Sequence, residues 1–262
     1  MRNEAIDGNR EFNWGLTSKD YGNYRKGYPP FVYDYLSTIG IGVRDQRILD
    51  MGTGTGNLAR EFAKRGSVVT GVDASAEQIG QAVVMSRDEK LDIEFIVGKA
   101  EECDFANGSF DAAAAGQSWM YFDARLLIPK LKTWLIRRGS LVLMHFNWLP
   151  HEDRLAEKTE ELVLRHNPSW TGAGYRENRT GAAFDSLSEM SLMTFQKFIV
   201  PVPFTSESWR GRMRSCRGIG ACADETIVAR FDRELDGMLS RETGGEFDIL
   251  HEISIHVFRV TD

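Results

Sequence analysis

The sequence predicts an α/β fold: a mostly parallel sheet of seven strands with helices on both faces. Three observations predict it. Strand-like and helix-like segments alternate between about residues 46 and 146. A glycine-rich segment joins the first strand to the first helix of that stretch. The 262 residues fit one large α/β domain, or a core with a small cap. Alternation of this kind calls for a parallel sheet covered on both faces, with right-handed crossovers.

The elements follow in order. Arg47 to Met51 is a short buried strand. Asn57 to Arg65 is a helix, with Leu58 and Phe62 on one face and Gly66 placed to end it. Val68 to Val72 is the second strand. A helix then starts at Ser75, which with Gln78 has capping-box spacing; Ile79, Ala82 and Val83 form its apolar stripe. Ile93 to Val97 is the third strand, and Asn107-Gly108 turns the chain into an alanine-rich fourth at Phe110 to Ala115. Leu126 to Ile136 is helical and Ser140 to Phe146 is the fifth strand.

Beyond Phe146 the rhythm changes. Glu152 to Leu164 is a charged helix, and Asn167 to Ala183 is a loop rich in Gly, Asn and Thr. Phe195 to Phe204 is a strand whose Pro201 and Pro203 suit an edge or a strand end. Helices near 206–216 and 223–240 precede a last strand, Leu250 to Val260. One domain over 1–262 is expected, with a core at about 40–146 and cap elements at about 150–190 and 205–246.

The net charge of −6 disfavours a duplex nucleic-acid partner. Three cysteines, Cys103, Cys216 and Cys222, form no Cys-x-x-Cys pair, so neither a disulfide framework nor a structural zinc site is expected. Met1 to Arg10 is polar and lacks a signal-peptide core, and no stretch approaches the roughly 18 apolar residues of a membrane span. A cytoplasmic protein without membrane or metal is the expectation.

The sharpest feature is Asp50-Met51-Gly52-Thr53-Gly54-Thr55-Gly56, after a strand and opening a helix. Glycines let the backbone turn tightly and approach a ligand, which also meets the positive end of the next helix. In a doubly wound sheet, ligands bind at the carboxyl ends of the strands. Asp73 closes the second strand, 21 residues after Gly52, where a carboxylate can accept from both ribose hydroxyls. A dinucleotide fingerprint would want its third glycine at 57, but that residue is Asn57 and the glycine stands at 56. An NAD(P)-dependent oxidoreductase is therefore the weaker alternative.

The D-x-G-x-G-x-G string resembles the first motif of class I S-adenosylmethionine-dependent methyltransferases, which implies a Rossmann-like seven-stranded sheet. Asp73 then matches the ribose acid. Gly98-Lys99-Ala100-Glu101 resembles the segment along the adenine, where backbone groups of Ala100 and Glu101 are the contacts because Lys99 stands where many members carry Asp. Phe110-Asp111 with Gln117 resembles the fourth-strand motif facing the sulfonium. Within the family the chain is most similar to the methyltransferase type 11 group, including trans-aconitate methyltransferase-like proteins. Tyr21 to Pro29 resembles their Y-x-x-Y-R-x-x-Y-P segment, which implies that Tyr21 and Arg25 contact the cofactor. Residues 117–123 resemble their Q-x-x-H-W-F-D stretch, with Met120 where His is common. The resemblance thus assigns S-adenosylmethionine to Tyr21, Arg25, Asp50, Gly52, Thr53, Gly54, Asn57, Asp73, Ala74, Ala100, Glu101 and Gln117.

The implied function is methyl transfer to a small molecule, itself the expected partner. Much of the catalysis of such a displacement comes from positioning; a base is needed only where the nucleophile must lose a proton. Trp119 and His145 are the candidate groups at the acceptor, His145 because it lies near the carboxyl end of the fifth strand. Arg210, Arg214 and Arg217 share one face of a helix, a pattern that fits either an anionic acceptor or a face paired with nearby acids. Trp170 and Tyr175, among glycines, fit a lid or a plain surface loop. A non-catalytic protein that binds S-adenosylmethionine is the reading from a different class.

Overall fold

The computed structural model describes residues 13–175, 187, 190–221 and 224–260. Helices α1 (Ser18–Tyr24) and α2 (Pro30–Thr38) precede β1 (Arg47–Met51), α3 (Asn57–Lys64), β2 (Val68–Asp73), α4 (Ala76–Asp88) and β3 (Ile93–Val97). Then come β4 (Phe110–Gly116), α5 (Ala124–Trp134), β5 (Leu135–Trp148) and α6 (Arg154–His166). The chain continues with β6 (Met190–Thr205), α7 (Ser206–Arg214), α8 (Glu225–Glu242) and β7 (Glu246–Val260). The seven strands form one sheet in the order β3-β2-β1-β4-β5-β7-β6. β1 pairs in parallel with β2 and β4, β2 with β3, and β4 with β5.

Local chemistry sets the element ends. Ser75 accepts from the Gln78 N–H at the start of α4, and Asp123 and Asp153 cap α5 and α6 in the same way. The fifth strand begins five residues earlier than its pattern predicts, directly after Trp134. The reason lies in the pairing: Leu135 sits opposite Phe110, and a register irregularity between Phe110 and Ala112 absorbs the extra residues. β6, with its two prolines, is the edge strand.

The chain divides into two compact units. The sheet unit comprises Gly27–Phe146, Asn178–Lys197 and Ile253–Asp262; the helical unit comprises Met1–Lys26, Asn147–Glu177 and Phe198–Glu252. The core of the sheet unit joins Leu49, Met51, Ala113 and Leu143 to Leu127, Leu131 and Trp134 of α5. The alanines of β4 suit this position, since Ala112 to Ala115 are all buried.

In the helical unit, α1 packs on α7, and α8 packs on both α6 and α7. Gly211 permits the close approach of α1, because a Cβ there would come within 2.2 Å of the Tyr24 ring. Trp209 is fully buried and donates to Thr159 Oγ1 at 3.1 Å. Residues 176–183 of the expected 167–183 loop, together with Cys222 and Met1 to Arg10, lie outside the described residues. No helix among the described residues is long and apolar enough to cross a membrane.

Candidate active site

In the sheet unit the site is built at the carboxyl ends of β1, β2 and β4. All three glycines of the loop after β1 are left-handed, with φ of 66° at Gly52, 56° at Gly54 and 77° at Gly56. Any residue with a Cβ is strained in this region, so the spacing of one glycine at every second position follows from backbone sterics. Gly52 is further constrained, since a Cβ there would sit 2.5 Å from the Cβ of Ser118. The N–H groups of Gly52 and Thr53 donate to Val72 O at 2.8 and 3.0 Å, which folds the loop onto β2.

Two carboxylates hold this loop from inside. Asp50, 1% exposed, accepts from Thr53 Oγ1 at 2.6 Å and from the Ala59 N–H at 3.1 Å. Burial pushes its pKa up to about 7, against the pull of those two donors. Asp73 accepts from the Gly54 N–H through Oδ2 and from the Ser75 N–H through Oδ1, each at 2.9 Å. Its pKa is also raised, chiefly by burial. A carboxylate offers about four acceptor positions. Two on Asp73 remain beyond the backbone bonds, which is the donor-acceptor chemistry a vicinal diol requires. The residues present therefore fit the ribose of S-adenosylmethionine.

The other predicted contacts divide. Ala74 is exposed next to Asp73 and Ala100 is buried after β3. Glu101 Oε1 accepts from the Asp123 N–H at 2.8 Å, so its side chain ties two loops together. Lys99 is turned to solvent, paired with Glu102 at 2.8 Å. Asn57 Oδ1 accepts from Arg60 Nη2 at 2.8 Å on the first turn of α3.

Gln117 follows β4 with a left-handed φ of 62°. Its N–H donates to Met144 O at 2.9 Å, and its Nε2 donates to Phe146 O. Left-handed backbone in a residue other than glycine costs energy and collects at functional sites. His145 is 8% exposed on β5, with Nδ1 buried and without a hydrogen-bond partner among the described residues. Burial, aided by the charge of His256, lowers its pKa to about 4. It is neutral at physiological pH, able to accept a hydrogen bond but weak as a base. Trp119, 3% exposed, lies in the core against Phe122 at 6.1 Å between ring centroids. Its burial gives it packing work.

Sequence reasoning missed two residues here. Ser118 Oγ donates to Met51 O at 2.7 Å and joins the end of β4 to the loop. Tyr28 stacks on Phe146 with centroids 5.6 Å apart, and a Cβ on Gly116 would touch its ring at 3.4 Å. The last tyrosine of the Y-x-x-Y-R-x-x-Y-P segment was the available signal for it. Tyr21 and Arg25 of that segment belong to the helical unit, where the Arg25 guanidinium lies 4.5 Å over the Tyr21 ring.

Of the three arginines expected on one helix face, Arg217 lies beyond the helix, which ends at Arg214, and the other two meet acids. Arg210 pairs with Asp232 and with Asp236 at 2.8 Å. Arg214 pairs with Asp20 at 2.9 Å and Asp232 at 2.5 Å. Glu207 of the same helix pairs with both as well, at 3.7 and 3.4 Å, so the acids come from α1, α7 and α8. Trp170 is buried against Trp148, at 6.5 Å between centroids, and Tyr175 donates to Glu252 Oε1 at 2.8 Å. Both aromatic rings are fixed within the helical unit.

Residues 48–139 match the family described as Methyltransferase domain. With the loop, Asp73 and the strand order in place, that match makes residues 48–139 a methyltransferase domain, similar to those of the class I S-adenosylmethionine-dependent methyltransferases. An uncharacterised methyltransferase of Mycobacterium tuberculosis is 30% identical over 143 residues, 55% of this chain and 54% of the relative. A demethylmenaquinone methyltransferase of Thermotoga maritima is 32% identical over 155 residues, 58% of this chain and 66% of the relative. The chain spans about half the length of the first of these. A solved structure described as a putative type II methyltransferase from Anaeromyxobacter dehalogenans shares the fold at a TM-score of 0.61. It is 17% identical, and the match covers 89% of this chain and 96% of that one.

Proposed function

We propose that this protein transfers a methyl group from S-adenosylmethionine to a small-molecule acceptor. The observation that carries the proposal is the loop of three left-handed glycines braced by Asp50 and bonded through Gly54 to Asp73. When bound, S-adenosylmethionine supplies a methyl carbon activated by its sulfonium. Asp73 holds the ribose hydroxyls, and the backbone of Gly52, Gly54, Ala74, Ala100 and Glu101 lines the donor. Asp50 acts as a positioning residue: it fixes Thr53 and the first turn of α3. Gln117, held between β4 and β5, would line the donor site at the end of β4. His145 orients the acceptor in its neutral form. Trp119 supports the end of β4 from the core.

The methyltransferase-domain match and the departure of Asn57 from the dinucleotide pattern both favour methyl transfer over hydride transfer. Turnover separates an enzyme from a binding protein that has kept the fold. Release of S-adenosylhomocysteine would be followed over a panel of small carboxylic acids, phosphate monoesters, phenols and amines. Turnover with one class is expected. Tight binding of S-adenosylhomocysteine without turnover on any of them would favour the non-catalytic reading.

A further inference from the structure

An arginine is always charged, so its burial calls for an anion. Helix α7 carries three arginines, of which Arg210 and Arg214 meet their acids on one side. Arg212 lies between them in sequence and so on the other side of the helix. It is 7% exposed. Its Nη1 donates to Cys216 Sγ at 2.8 Å, and its guanidinium lies 5.0 Å over the Trp148 ring. No carboxylate among the described residues pairs with it. A thiol and an indole face do not balance a desolvated guanidinium.

Burial drives the guanidinium pKa down, and the charge of Arg25 adds to that. The carboxylates of the surroundings act on its neighbours instead, Asp153 on His251 and Asp248 on Lys26. His251, stacked on Phe204 at 5.9 Å, is held neutral with a pKa near 4, first by burial and then by the charges of Arg212 and Lys26. Lys26 Nζ, 4.8 Å over the Phe204 ring, is itself partly desolvated. A buried guanidinium that meets a thiol and an indole face, with no carboxylate paired to it among the described residues, is complete only when a negative group enters.

We propose that Arg212 binds an oxyanion, a carboxylate or a phosphate, within the helical unit.

The test uses the full chain, saturated with S-adenosylhomocysteine, in chloride at constant ionic strength. Succinate and inorganic phosphate are the probes and thermal unfolding is the readout. The wild type should rise by a few degrees with one of the two, which tells carboxylate from phosphate. Arg212→Met should lose that rise. Arg212→Lys, which keeps the charge but not the planar fork, should weaken the anion at least about tenfold. Arg212→Lys carries the test alone if the methionine variant does not fold. Both variants should bind S-adenosylhomocysteine as the wild type does. A wild type indifferent to both probes, or variants that keep the full rise, would overturn the site. A wild type that responds to anions but never to S-adenosylhomocysteine would sink the methyl-transfer reading and leave the anion site standing.

Discussion

The sheet unit and the helical unit use charge in opposite ways. In the sheet unit two carboxylates, Asp50 and Asp73, are spent on backbone N–H groups and one hydroxyl, and they shape a loop. In the helical unit Arg210 and Arg214 share Asp232, and Arg212 is buried without an acid. The first arrangement is local: Asp50, Thr53 and Ala59 lie within ten residues, and the acids serve backbone geometry. The second depends mostly on partners brought from α1 and α8. Pattern reading fixes the first kind and leaves the second open, because a guanidinium on a helix face looks the same whether or not an acid reaches it.

That contrast can be broken most sharply at the loop. Gly54→Val forces a branched side chain into left-handed backbone and into the ligand's space, and should weaken S-adenosylhomocysteine by more than about a hundredfold in calorimetry. Binding within the wild-type range would mean the glycine is dispensable. Next in size is Asp73→Ala. Loss of hydrogen bonds to a charged acceptor is worth about 1.5–3 kcal/mol, or roughly tenfold to a hundredfold in affinity. An unchanged dissociation constant would remove the ribose contact.

On the other side of the contrast, Asp232→Ala strips a shared acid from two half-buried arginines. It should cost about 1–2 kcal/mol, a drop of several degrees in Tm, while S-adenosylhomocysteine affinity stays unchanged. A change in affinity with no change in Tm would return Arg210 and Arg214 to the ligand. The smallest effects come from pH. Asp50 has its pKa raised from 3.8 to about 7, so between pH 4 and 7 the unfolded chain has released a proton that the folded chain keeps. Stability from this group falls as pH rises through that window. His145, lowered from 6.5 to about 4, works the other way: its contribution is full above pH 6.5 and is lost as pH falls through 4. Asp50→Asn should therefore make Tm climb more steeply with pH over this range, and His145→Gln should make it climb less.

Much of the fold was legible because it rests on periodicity. β1 and β3 run as expected, 47–51 and 93–97, and the Ser75 cap is in place. The early start of β5 was not legible, because it depends on a pairing irregularity with Phe110. At the site, the alternating glycines and Asp73 could be read from spacing, since sterics and strand length fix their relation. Ser118 could not, since its role comes from the Met51 carbonyl that the folded chain sets against it, while Tyr28 stood in a recognised segment and was passed over. Arg212 escaped because helix-face reasoning selected its neighbours at 210 and 214.

The central claim is that the glycine loop and Asp73 hold S-adenosylmethionine. Its most direct test is thermal unfolding of the wild type and Asp73→Ala with S-adenosylhomocysteine or NAD, each in large excess. A ligand at about a hundred times its dissociation constant stabilises by about 2.7 kcal/mol, a rise of roughly 5–10 °C here. The account predicts that rise with S-adenosylhomocysteine in the wild type, none with NAD, and most of it lost in Asp73→Ala. A rise with NAD alone would contradict it and move the protein to the oxidoreductases.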